Sequence, residues 1–315
     1  MLAEVNSKAA PARPHLERLV AAARKRGPLQ VAVAYPCDAL TMEAVALAAA
    51  AGLIQPLLVG PPERIARAAR AAGVPVGDWE RHATPDDPAA AAAAAVALVR
   101  QGQARALMKG SLHSDDLLAA AVARESGLRH MRRASHVFVI DVPGHVGPLL
   151  FTDCVVNIAP DLLAKRDIAQ NAINFAHALG IVRPKVAVLS AVETVNPAIP
   201  STLDAAALCK MADRGQIQGA LLDGPLAFDN AISATSARNK GISSEVAGAP
   251  DVLLVPGLEA GNMLYKQLVY LANAECAGVV LGLRVPVVLT SRSDSVSSRV
   301  ASCALAVLVA SGGQL

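Results

Sequence analysis

Aromatic residues are scarce in this 315-residue chain, at 3%, and charged residues make up only 17%. A core with so few rings has to be built from Ala, Val, Leu and Ile, and the 53% hydrophobic content suffices for that. The net charge of +3 is too small to argue for nucleic acid, and no Lys/Arg tract interleaves with aromatics. The five cysteines form no CxxC pair and no Cys/His cluster. A zinc site and a disulfide framework are therefore not expected, and the thiols read as reduced core residues of a cytoplasmic protein. Apart from His113, the histidines show no metal-ligand spacing. The uncharged stretch from Val300 to Leu315 is shorter than the roughly 20 apolar residues that cross a bilayer, so no membrane partner is expected. Residues 1–14 lack an apolar signal core and read as a disordered lead-in. Also missing are GxGxxG after a strand, GxxxxGK[ST], HExxH and GxSxG, which argues against dinucleotide dehydrogenases, P-loop nucleotidases, zincins and common serine hydrolases.

What the chain does have is alternation. Short apolar runs at 30–35, 56–59, 106–108, 136–141, 148–152, 185–190, 219–222, 251–255, 277–281 and 286–290 read as buried strands. Ala-rich stretches between most of them read as helices, at 39–51, 62–72, 86–101, 114–125, 160–179, 202–214 and 259–274. This order predicts a mostly parallel sheet with helices on both faces. The length fits one large or two medium domains. The runs around Val137 and Phe151, joined by a Gly/Pro loop, read as an antiparallel excursion near a domain break. A second break is expected near Pro286. Residues 15–145 plus 286–315 would then form domain one and 146–285 an inserted domain two, with a ligand cleft between them.

Polar residues gather where apolar runs end. Pro286-Val-Val-Leu-Thr ends in Ser291, Arg292, Ser293 and Asp294, just before the last helix. Ligands in open α/β sheets bind beyond the carboxyl ends of strands, and a helix start near Ser295 adds positive potential for an anion. The plainer reading is a polar turn with a serine N-cap. Met108 is followed by Lys109, Gly110, Ser111 and His113, a Gly-containing turn that presents N–H groups to an anion, with Ser114 as helix cap. Asp223 ends another run, before a Gly-Pro turn, where it either holds a ligand hydroxyl or stabilises the turn. Gly261 and Asn262 follow a further run; the glycine permits close backbone approach, and the amide both donates and accepts.

Taken in order, these pieces resemble the phosphate acetyltransferase/phosphate butyryltransferase family. They are Met108-Lys-Gly-Ser-Leu-His-Ser-Asp, Ser135-His-Val-Phe-Val-Ile-Asp, Asp153 through Asn157-Ile-Ala-Pro, Leu189-Ser-Ala-Val-Glu, Lys210-Met-Ala-Asp-Arg-Gly, Asp223-Gly-Pro-Leu-Ala, Gly261-Asn and Leu289-Thr-Ser-Arg-Ser-Asp. The resemblance runs from about residue 15 to the end and is closer to the butyryl branch, including the transferase part of enoyl-CoA hydratase fusions.

The resemblance implies two three-layer α/β/α domains of the isocitrate/isopropylmalate dehydrogenase kind, with the active site in the cleft between them, and a homodimer. It also implies reversible transfer of a short acyl group between coenzyme A and inorganic phosphate. The ligands are then CoA, acyl-CoA, phosphate and acyl phosphate, with CoA as substrate and no cofactor or metal. Ser291 and Arg292 match the family's Ser-Arg pair. The acetyl branch has its base, an Asp, seven residues after that serine; here the position holds Ser298, so Asp294 is expected to take the proton-handling role or to orient the group that does. Arg132 and Arg133, just before Ser135-His136, are candidate phosphate ligands. Two rivals stand beside this reading: a catalytically inactive CoA- or phosphate-binding protein, motivated by Ser298, and a metal-dependent NAD(P) dehydrogenase of similar fold, for which Asp223 and Asp229 would be the aspartates.

Overall fold

The computed structural model describes residues 14–291 and 293–312. Eleven strands form there: β1 Leu29–Ala34, β2 Ile54–Gly60, β3 Glu80–Ala83, β4 Ala106–Lys109, β5 Ser135–Asp141, β6 Leu149–Thr152, β7 Lys185–Leu189, β8 Leu221–Leu226, β9 Val252–Leu254, β10 Glu275–Leu281 and β11 Val287–Val288. The α-helices are α1 Pro14–Arg24, α2 Ala39–Ala50, α3 Pro62–Ala71, α4 Pro88–Arg100, α5 Ser114–Val122, α6 Leu162–Ala178, α7 Pro200–Asp213, α8 Phe228–Ile232, α9 Ala234–Asn239, α10 Leu258–Leu271 and α11 Val296–Ser311.

All eleven strands join one sheet, in the order β3-β2-β1-β4-β11-β10-β5-β6-β9-β7-β8. Most pairings are parallel, as the alternation predicts; the exceptions are β11–β10, β10–β5 and β5–β6 at the middle of the sheet. The β5–β6 pair is the antiparallel excursion expected from the Gly/Pro loop. These three reversals have a geometric consequence. β3, β2, β1, β4, β11 and β5 run one way, while β10, β6, β9, β7 and β8 run the other.

Side chains alternate across the pleat, and helices cover both faces. Val31 and Val33 face α2, α3 and α11, whereas Ala32 and Ala34 face α4 and α5. Further along, Val137 and Val139 pack with α1, α6, α7 and α11, and Phe138 and Ile140 pack with α8 and α10. The three-layer α/β/α arrangement follows, with α11 shared between two of the apolar clusters.

Four local readings change. Glu80–Ala83 pairs with β2 although every residue in it is exposed, so no apolar period marks it. Pro14–Arg24 is helical, beginning one residue inside the expected lead-in; the rest of that lead-in lies outside the described residues. Helix α5 is capped from His113, whose backbone N donates to Asp116 Oδ2 at 3.3 Å, so Ser114 is its first residue and not its cap. Asp223-Gly-Pro is not a turn: it lies within β8, an edge strand, where a proline costs no ladder bond on its open side.

Candidate active site

Three adjacent parallel strands, β1, β4 and β11, end together. Each releases a short polar segment at its carboxyl end: Tyr35–Asp38, Lys109–Ser111 and Thr290–Asp294. The fold thus places a ligand site where parallel α/β sheets hold theirs.

The β11 segment is tightly organised. Asp294 Oδ2 accepts the Ser291 backbone N–H at 2.6 Å, and the Asp294 N–H returns to the Ser291 carbonyl at 3.2 Å. The Ser291 and Ser293 hydroxyls lie 3.0 Å apart. Ser295 then caps α11, its hydroxyl accepting from Ser298 N at 3.1 Å. Burial raises the Asp294 carboxyl above the ordinary range; the bond from Ser291 and the positive charges of Arg299 and Lys109 pull it part of the way back. Asp294 is therefore a more basic carboxylate than a solvated one, beside two cations. Arg292 lies outside the described residues.

Lys109 is 4% exposed, and its Nζ donates to the carbonyls of Gly110 at 3.4 Å and Leu112 at 3.2 Å. Gly110 has no room for a side chain: a Cβ there would run into the carbonyl oxygens of Ala34 and Tyr35. Those same carbonyls hold the turn, accepting from Gly110 N at 2.8 Å and Ser111 N at 2.9 Å. The Ser111 hydroxyl also donates to the Tyr35 carbonyl at 2.9 Å. Tyr35 adopts φ 56°, a left-handed conformation uncommon for a residue with a side chain and typical of over-determined functional segments. Its hydroxyl is gripped by Asp86 and, at 2.6 Å, by Arg64.

Beside the β11 segment opens a cleft of about 300 Å³, walled by Ser293, Asp294 and Ser295 on one side and by Tyr265, Lys266 and Tyr270 of α10 on the other. Hydroxyls, a raised carboxylate and nearby cations around a small cleft suit an anionic substrate and a proton transfer.

The structure therefore gathers Ser291, Asp294, Lys109, Gly110 and Ser111, with His113 exposed at the far end of the same turn. It separates the other candidates. β5 runs the same way as β11, so Arg133, which precedes β5, sits at the opposite end of the sheet from Ser291. Gly261 packs against Cys154 after β6, and Asn262 Nδ2 donates to the Cys154 carbonyl at 3.3 Å, also at that opposite end. Asp223 lies on β8, six strand positions from β11, with its Oδ1 accepting the Gly224 N–H at 2.9 Å. Among the described residues no group of His, Cys, Asp and Glu is placed to hold a metal ion, Asp223 and Asp229 included.

Residues 83–307 match the family model described as phosphate acetyl/butaryl transferase. The chain belongs to this family. It is 56% identical over 301 residues to the phosphate acetyltransferase of Rhizobium meliloti, covering 95% of each chain. It is 44% identical over 281 residues to the phosphate butyryltransferase of Clostridium acetobutylicum, covering 89% of this chain and 93% of the relative. The crystal structure of a branched-chain phosphotransacylase from Enterococcus faecalis superposes with a TM-score of 0.78 at 33% identity, over 90% of this chain and 99% of that one.

Three residues that brace these strand ends escaped the sequence reading: Asp38, Thr41 and Arg299. Asp38 caps α2, its carboxylate accepting from Thr41 N at 2.8 Å and Thr41 Oγ1 at 2.6 Å. Arg299, 3% exposed inside α11, donates to the Ser291 carbonyl at 2.8 Å, the Asp294 carbonyl at 3.4 Å and Thr41 Oγ1 at 3.4 Å. The signal for Asp38 was the one used elsewhere, a polar residue just past an apolar run. Arg299 carries a different signal, a lone charge in an otherwise uncharged helix. Among the described residues, no helix is long and apolar enough to cross a membrane.

Proposed function

We propose that the chain moves a short acyl group, acetyl or butyryl, between coenzyme A and inorganic phosphate at the Ser291–Asp294 turn. The carrying observation is the meeting of Ser291 and Asp294 with Lys109 at the adjoining ends of β11 and β4. In the direction from acyl phosphate, the CoA sulfur forms a bond to the carbonyl carbon and the bond from that carbon to the phosphate oxygen breaks. The thiol proton passes to the Asp294 carboxylate and then to the departing phosphate. A free thiol has a pKa of about 8.5, so a carboxylate of raised basicity near the sulfur increases the thiolate fraction. The Ser291 hydroxyl donates to the carbonyl oxygen as it gains charge, an interaction worth about 10²–10³ in rate at comparable sites. Lys109 supplies positive potential at the same turn, and Arg292 a bidentate fork for the phosphate. Coenzyme A enters as substrate, and the scheme assigns no step to a metal or cofactor.

The same reading includes a homodimer. Ile158, Leu163 and Met263, at 75%, 56% and 66% exposed, are apolar groups that a second copy would cover.

Thioester formation from CoA with acetyl phosphate or butyryl phosphate tests the proposal, with Ser291→Ala and Arg292→Ala measured alongside. Turnover that collapses in both variants supports it, and the ratio of the two substrates gives the chain length preferred. CoA binding by folded protein without turnover on either substrate would sink the transferase reading in favour of a binding protein.

A further inference from the structure

A second cleft, of about 560 Å³, lies away from the Ser291 turn, at the end of the sheet where β5 begins. Its wall carries Arg129, His130, Arg132 and Arg133, and no carboxylate side chain lines it among the described residues. Asp167, which lines an adjoining cleft with His130 and Arg132, is already engaged: its Oδ1 pairs with Arg166 at 2.8 Å and its Oδ2 accepts the Arg133 backbone N–H at 3.1 Å. Arg132 is held by neutral groups instead. Its Nε donates to Asn171 Oδ1 at 3.1 Å, and its Nη2 to the Asn174 amide oxygen at 2.8 Å once that amide is oriented to accept it. A guanidinium fixed by amides keeps its full charge available, whereas one fixed by a carboxylate does not.

The segment bearing these cations is itself fixed. The Arg133 carbonyl accepts from Asn171 Nδ2 at 2.8 Å. Gly282, at φ 80°, lies close beneath: a Cβ there would collide with the Arg133 carbonyl and approach Asn171 Nδ2 to 2.8 Å. Val122 and Val156 also line the cleft, and Leu283, 2% exposed, is bridged through its backbone to Arg129. Guanidinium forks and apolar side chains in one cleft match a ligand with phosphates at one end and a flat ring at the other, and the volume lies within the range of small-molecule sites.

We propose that this cleft binds the diphosphate of an adenine nucleotide, with Arg129, Arg132 and Arg133 on the phosphates and the ring against Val122 and Val156. Two sources share this chemistry: a free nucleotide, and the nucleotide end of coenzyme A.

Equilibrium binding of ADP and of pyrophosphate to the whole protein, without turnover, tests the site independently of the transferase reading. The expected result is saturable binding of both, weakened at least about tenfold in Arg129→Ala/Arg133→Ala and less in Arg129→Lys/Arg133→Lys, which keeps charge but loses the fork. Arg129 and Arg133 are both exposed, so an unchanged melting temperature is the accompanying check on folding. A raised KM for CoA in the alanine variant would make the nucleotide end of CoA the occupant; an unchanged KM with lost ADP binding would make it a free nucleotide. Absence of saturable ADP binding, binding indifferent to the alanine substitutions, or ADP binding lost in Ser291→Ala would each overturn the proposal.

Discussion

Arg299 Nη2 donates to the Ser291 carbonyl at 2.8 Å, tying the second turn of α11 to the end of β11. The guanidinium also reaches Thr41 Oγ1, and through Thr41 the Asp38 cap of α2. One buried cation thus braces two of the three strand-end segments that make the site. Arg299→Lys keeps the charge but cannot span these acceptors with a planar fork. The expected outcome is a folded protein with kcat lowered about 10–100-fold, since catalysis is sensitive to displacements of about an ångström. Steady-state kinetics beside a thermal melt checks this. Wild-type kcat in Arg299→Lys would mean the turn holds its own shape.

Asp294 gives the pH dependence a sign. Burial raises its pKa, so the carboxylate that the proposed proton transfer requires forms at a higher pH than for a solvated aspartate. Activity toward acyl phosphate should fall on the acid side through a limb above the ordinary carboxylate range of about 4. Asp294→Asn should remove that limb and lower kcat by about 10²–10⁴. An unaltered pH–rate profile in this variant would take Asp294 out of the proton transfer.

Legibility in the sequence followed burial. Strands such as Ala106–Lys109 and Ser135–Asp141 are buried throughout, so their apolar runs are unmistakable, whereas exposed Glu80–Ala83 carries no such mark. The Ser291 and Lys109 clusters were legible because polar groups follow apolar runs abruptly. The sequence could not tell which end of the sheet each run points toward. Asp223, Gly261 and Asn262 also follow or end apolar runs, but their strands belong to the half that runs against β11. Of the three antiparallel pairings that cause this reversal, β5–β6 and β10–β11 join neighbouring runs, but β10–β5 joins segments far apart in sequence and has no local signature. Arg299 was hidden for another reason: its role lies in reaching back to a carbonyl eight residues earlier and a hydroxyl 258 residues away.

Gly110 is a steric prediction. Its Cβ position is occupied by the Ala34 and Tyr35 carbonyls, both of them backbone and both already holding the turn. Gly110→Ala must therefore push β4's end away from β1. Overpacking of this kind costs about 1–3 kcal/mol, and the displaced turn carries Lys109 and Ser111 with it. Denaturant melts should show the loss of stability, and activity should fall further than the unfolded fraction explains. A variant with native stability would show that the two strand ends can separate freely.

His136 makes the stability of the fold pH-dependent in a predictable direction. Its side chain is wholly buried, and the Leu289 backbone is the polar group that partly compensates the ring. The ring lies over Gly278, where a Cβ would meet Nε2 at 2.6 Å, and edge-on to Phe138 with centroids 4.3 Å apart. Burial pushes its pKa down to about 3, and the nearby Leu289 backbone offsets this only in part. In the unfolded chain the imidazole titrates near 6.5. Between those values the unfolded state binds one more proton than the folded state, so stability falls as pH falls, by up to about 1.4 kcal/mol per unit from this group alone. Urea midpoints measured from pH 7 to pH 4 should decline with that slope. The decline should shrink in His136→Gln, which cannot take up a proton, even if that variant starts from lower stability. A parallel pH dependence in wild type and variant would mean that other groups, and not His136, govern acid unfolding.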